Sequence, residues 1–110
     1  MEQSSDRAES RHISTETLVW EGVTLSIAYE PSWLAMSEDY GPAHLEMHVV
    51  APEGAPLPIT ETGYRSHFLA RGIVEEHGGP VAYVRVWLDE AARAPGWKHA
   101  QVRRAQLSLF

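Results

Sequence analysis

Cysteine is absent, which removes disulfides and thiolate metal sites from consideration. No stretch is apolar for the length a bilayer-spanning helix requires, so no membrane association is expected and a cytoplasmic location is. There is no P-loop, no dinucleotide-binding glycine pattern, no heptad and no internal repeat. Nothing therefore calls for a nucleotide or other cofactor, and none is expected. A nucleophile–base pair is also missing. Ser66 precedes His67, but adjacent residues of a strand point to opposite faces, so the two cannot meet within hydrogen-bond reach. With no catalytic residue to assign, a non-enzymatic interaction protein is the expected class.

Basic residues are scarce over most of the chain. Residues 1–84 hold four basic and thirteen acidic side chains, a net of -9, whereas residues 85–110 hold five and two, a net of +3, which sums to the overall -6. A surface this acidic argues against direct nucleic-acid binding. The basic end consists of Arg85, Arg93, Lys98, Arg103 and Arg104 against Asp89 and Glu90. It reads as a solvated helix face with cations near helix C-termini, or as a surface that meets an acidic protein rim or a nucleic-acid backbone.

What is abundant is large aromatic surface: four tryptophans and four tyrosines in 110 residues. Aromatics are enriched at subunit interfaces, so a homodimer is compatible with this composition. The length suits one domain. Residues 1–14 are polar and without periodicity in their first dozen, and are read as a disordered tail, neither signal peptide nor anchor. Residues 15–105 form the expected α+β domain, and 106–110 a recognition peptide.

The expected fold is a small antiparallel sheet of three to four strands, packed by a helix over 80–93 and a shorter one over 97–105. Residues 17–29 carry the clearest signal. Glu21-Gly22 separates two alternating runs, as in a two-residue hairpin. That register pairs Trp20 with Val23 and Leu18 with Leu25. It gathers Leu18, Trp20, Val23, Leu25, Ile27 and Tyr29 on one apolar face. Pro31 ends the second strand, and residues 32–39 are read as a helical turn. A third strand covers 43–51, with Leu45, Met47 and Val49 inward. Residues 52–58, PEGAPLP, form a proline-rich loop, and a fourth strand follows over 64–69. Residues 72–79 read as a linker, after which Gly78-Gly79-Pro80 opens a helix. Its stripe is Val81, Val84, Trp87, Leu88 and Ala91, and Pro95-Gly96 stops it.

Two clusters are candidate sites in the body. His44, Glu46 and His48 share the outward face of the third strand, and two imidazoles with a carboxylate at that spacing suit zinc or another transition metal, with His67 as a further ligand. This supports, as the alternative, a small metal-dependent enzyme. The solvent face of an antiparallel strand has the same pattern, so no metal is assigned. The second cluster is the polar stretch Thr60, Glu61, Tyr64, Arg65 and His67, next to a loop, where function concentrates. It supports a binding or inhibitor module with another partner.

The stretch with the most specific signal is Gln106-Leu107-Ser108-Leu109-Phe110. A short peptide must concentrate its contacts, and Leu107, Leu109 and Phe110 supply apolar anchors while Gln106 supplies an amide that donates and accepts. The order of these five residues resembles the peptide by which bacterial proteins bind the DNA polymerase sliding clamp. The resemblance implies that Gln106 hydrogen-bonds at the mouth of the clamp's pocket and that Leu109 and Phe110 fill an apolar subsite. In the body, the segments PLPITETGYRSHF and GGPVAYVRVWLDEA are similar to small proteins of bacterial plasmids and integrated elements, a resemblance that supplies no activity.

Overall fold

A computed structural model describes residues 13–32 and 42–107. Four strands, β1 (Ser14–Trp20), β2 (Val23–Glu30), β3 (Pro42–Ala51) and β4 (Tyr64–Ala70), form one antiparallel sheet in sequence order. Three helices follow: α1 (Arg71–Glu76), α2 (Pro80–Ala91) and α3 (Pro95–Leu107). The α+β architecture is the expected one. The helical turn expected over 32–39 and the tail expected over 1–14 fall almost entirely outside the described residues.

The hairpin sets the register of everything else. Trp20 pairs with Val23 and Leu18 with Leu25. Glu21 and Gly22 both take positive φ, 48° and 82°, so the turn twists in the sense of the flanking strands. A glutamate in this region is strained, whereas asparagine tolerates it. Glu21→Asn is therefore expected to stabilise the fold by up to about 1 kcal/mol, read as a higher denaturation midpoint.

Alternation then divides the sheet. Leu18, Trp20, Leu25, Ile27, Tyr29, Ala43, Leu45 and Met47 are buried on one face. Val84 and Leu88 of α2 and Val74 of α1 close over them, with Val81, Trp87 and Ala91 packed around. Trp20 ties the layers together. Its Nε1–H donates to Asp89 Oδ1 on α2 at 2.8 Å, and its ring lies 6.4 Å from that of Trp97 at 49°. Trp20 is buried, and Trp87 and Trp97, both partly buried, pack against the core of the same chain.

The helices depart from the expectation in three places. Residues 72–79 are not a plain linker, because α1 occupies 71–76. It carries one buried residue, Val74, and an Arg71–Glu75 pair at 3.7 Å. Gly78 and Gly79 close it: Gly79 N–H donates to Val74 O and Gly78 N–H to Glu75 O, with Gly78 at φ 96° in the left-handed position that ends helices this way. Gly79 then precedes Pro80, the first residue of α2. Second, α2 ends at Ala91 rather than 93. Third, α3 starts at Pro95 and runs through Leu107, longer at both ends than the expected 97–105. Proline stops the preceding helix but suits the first position of the next, so Pro95 serves both.

The proline-rich loop also holds more than expected. Leu57 and Ile59 turn inward and join the core, held by reciprocal backbone bonds between Leu57 and Thr60 of 3.0 and 3.1 Å.

Candidate functional site

The polar stretch between the loop and β4 does not assemble into one site. Thr60 and Thr62 build the turn that launches the strand. Thr60 Oγ1–H donates to Tyr64 O at 2.8 Å, and Thr62 N–H donates to Thr60 Oγ1 at 3.2 Å. Thr62 Oγ1 accepts from Tyr64 N–H at 3.3 Å. Their hydroxyls are consumed by the backbone, a structural role typical of short polar side chains at turns. From Tyr64 onward the side chains alternate. Tyr64 faces outward, while Arg65 and His67 face the helices. Period-two alternation alone separates them.

On the inner side Arg65 sits over Trp87, with its guanidinium carbon 5.4 Å from the ring centroid, and Nη1–H donates to Ile59 O at 3.2 Å. His67 packs 4.5 Å from the Trp87 ring, and Tyr83 lies within 3.5 Å of its Nε2 through the hydroxyl. His77 meets the edge of Tyr83 at 5.1 Å. Burial in this aromatic setting, and then the Arg65 cation, hold the His67 imidazole below its ordinary value of 6.5. The sign of the consequence is fixed. The folded chain resists the proton that the unfolded chain accepts, so stability is fully present above about pH 6.5 and falls as pH drops through 6.5 toward the depressed folded value. Denaturation at pH 7.5 and 5.5 should show this loss, and His67→Gln should reduce it.

The outer side carries the metal candidates. His44, Glu46 and His48 register against Phe68, Ser66 and Tyr64. His44 stacks on Phe68 at 4.4 Å, and its Nε2 is 2.6 Å from Ser66 Oγ. His48 packs on Tyr64 at 4.6 Å, and the Tyr64 hydroxyl donates to Glu46 Oε2 at 3.3 Å. All three are turned toward β4 neighbours rather than toward a shared point. Among the described residues no three His, Cys, Asp or Glu side chains gather as a metal site would require. His67 lies on the opposite face and cannot complete one.

Two further features lie at the proline loop and at α3, and the first of them takes in Thr60 and Glu61 of the polar stretch. A groove of about 620 Å³ separates the proline loop from the α2–α3 junction, with Pro56, Pro58 and Glu61 on one wall and Trp97, Ala100 and Arg104 on the other. The alternation of proline with Leu57 and Ile59, and the lone tryptophan after Pro95-Gly96, were the available signals for it.

The second feature is α3 itself. None of its residues is buried, and only Trp97 and Ala100 are even half-shielded. The helix leans on the body through Trp97 and then leaves it. The molecule is long, 60 × 28 × 17 Å, with a radius of gyration of 16.7 Å against the roughly 13 Å of a compact chain of this size. Gln106 and Leu107 form the end of α3, and Leu107 is 66% exposed. Ser108, Leu109 and Phe110 lie outside the described residues. No helix among the described residues is long and apolar enough to cross a membrane.

Residues 13–97 match the model of a family described as the KlcB third domain. No curated protein and no solved structure matches the chain. The matched span covers the sheet, α1, α2 and the Trp97 anchor, and ends before the projecting part of α3 and the 106–110 segment.

Proposed function

From the premise that the chain belongs to the KlcB third-domain family, and from the residues that follow the family span, we propose that it is a non-enzymatic interaction protein that binds the bacterial DNA polymerase sliding clamp through Gln106, Leu107, Ser108, Leu109 and Phe110. A KlcB-type domain hints at a plasmid-associated accessory protein, which accords with an origin on a mobile element and a role addressed to host replication in the cytoplasm.

The observation that carries the reading is the five-residue pattern itself. Two further facts support it. The segment begins after the family module has closed its core, so engaging it would leave that core intact. Gln106 and Leu107 are exposed at the end of a helix none of whose residues is fully buried. A peptide that binds extended must first unwind this last turn, and because residues 101–107 are all exposed the unwinding disturbs no core packing. The reading does not require a homodimer; a second copy would add avidity on a ring with repeated sites.

Calorimetric titration against the clamp tests it. A lone peptide of this kind is expected to bind with Kd about 1 µM, near -8 kcal/mol. The chain ending at Ala105 should not bind. Unchanged affinity after that truncation would overturn the reading.

A further inference from the structure

Helix α3 carries Lys98, Arg103 and Arg104 and no aspartate or glutamate among its thirteen residues. Helix stability does not account for this pattern. A cation helps in the last turn, where Arg104 lies, but Lys98 sits near the positive end of the helix dipole, where a carboxylate is favoured and none is present. No acidic residue of the helix stands at i±4 to offset the three cations. Packing holds the helix mainly at Trp97, and none of its residues is fully buried. Val102 and Leu107, 57% and 66% exposed, are left uncovered on the same helix.

The helix has two distinct sides. Trp97, Ala100 and Arg104 line the groove, and Arg104 is engaged by Gln101 Oε1 at 2.7 Å. Helical spacing turns Lys98 and His99 away from the groove and sets Arg103 on its flank, and all three are exposed. His99, Arg103 and Gln106 follow one another at i, i+4 and i+7 along the axis.

We propose that α3 is a second contact element, whose Lys98 and Arg103 seat on an acidic protein surface flanking the pocket that receives residues 106–110. The inference rests on the clamp reading and adds to it the charge of the partner's rim. A protein is favoured over nucleic acid by two facts. Residues 1–84 carry a net -9, which a uniform polyanion would repel, and the anchors Leu107, Leu109 and Phe110 require an apolar pocket. A localised acidic rim beside such a pocket meets both conditions.

The test compares three ligands of the clamp at 50 and 500 mM salt: the full chain, the chain with Lys98→Glu and Arg103→Glu, and the synthetic peptide of residues 106–110. Circular dichroism first verifies that the double variant keeps its helix. At 50 mM the full chain should bind about tenfold more tightly than the peptide, and the variant should fall back to the peptide's affinity. At 500 mM, where charges more than a few ångströms apart are screened, the three should converge. A variant that binds as tightly as the parent at low salt overturns the second contact and leaves the clamp reading standing. Failure of both chain and peptide to bind overturns the two together. If the variant keeps its clamp affinity but loses affinity for a duplex oligonucleotide that the parent binds, the helix belongs to nucleic acid and the proposal is overturned.

Discussion

Trp20→Ala is expected to cost about 3–5 kcal/mol, a large share of the 5–15 kcal/mol that holds a domain of this size. The indole is 4% exposed and lies where the hairpin, α2 and α3 meet. Removing it opens a cavity under Leu88 and Val84's layer and withdraws the ring against which Trp97 leans. Because Trp97 is the main foothold of α3, the variant should lose packing of that helix as well as global stability. Trp20→Phe separates the two contributions. It keeps most of the apolar volume and deletes the Nε1–H donor to Asp89, whose carboxylate is exposed and regains water, so its cost should be nearer 1 kcal/mol. Urea denaturation decides between them, read as midpoint shifts at unchanged slope. Near-equal losses for the two variants would mean that the hydrogen bond, not the buried ring, dominates.

The parts of this fold that were legible in the sequence are those where one physical rule acts alone. Glu21-Gly22 between two alternating runs admits one tight register, and that register assigns every side chain from Leu18 to Tyr29 to a face. The α2 stripe is equally plain, since Pro80 starts it and five apolar residues repeat at helical spacing. Legibility fails where rules compete. Gly72 and the short length of α1 disguise a helix that one buried valine and a closing Gly78 make stable in context. Prolines around Leu57 and Ile59 suggest an exposed loop, whereas the core takes both side chains, and the Leu57–Thr60 backbone bonds hold them there. In the site, the split between Tyr64 and His67 follows from alternation and was readable. The use of Thr60 and Thr62 hydroxyls by the backbone was not, because it depends on how the chain turns into β4. The end of α3 had no glycine or proline to mark it, so the helix carries Gln106 and Leu107 further than its sequence announces.

Two leucines should give opposite results in the same pair of assays. Leu88 is fully buried on the inner side of α2, and Leu88→Ala removes core atoms at an expected cost of about 2–5 kcal/mol. Leu107 is 66% exposed at the end of α3, and Leu107→Ala should change stability by less than about 0.5 kcal/mol. Chemistry is identical in the two substitutions, so burial alone sets the difference. Partner binding should invert the order. Under the proposed function Leu107 is an anchor, and its truncation should weaken clamp affinity by at least about fivefold, roughly 1 kcal/mol. Leu88 belongs to the core cluster, which includes neither Gln106 nor Leu107, so Leu88→Ala, measured where it remains folded, should bind the clamp as the parent does. Denaturation midpoints and calorimetric affinities for both variants therefore test a division of labour: a family module that holds itself together through Leu88 and Trp20, and an appended segment whose leucine contributes nothing to that module. A Leu107→Ala chain that loses stability instead of affinity would show that the segment is part of the module's own packing, and would remove the grounds for a separate recognition peptide.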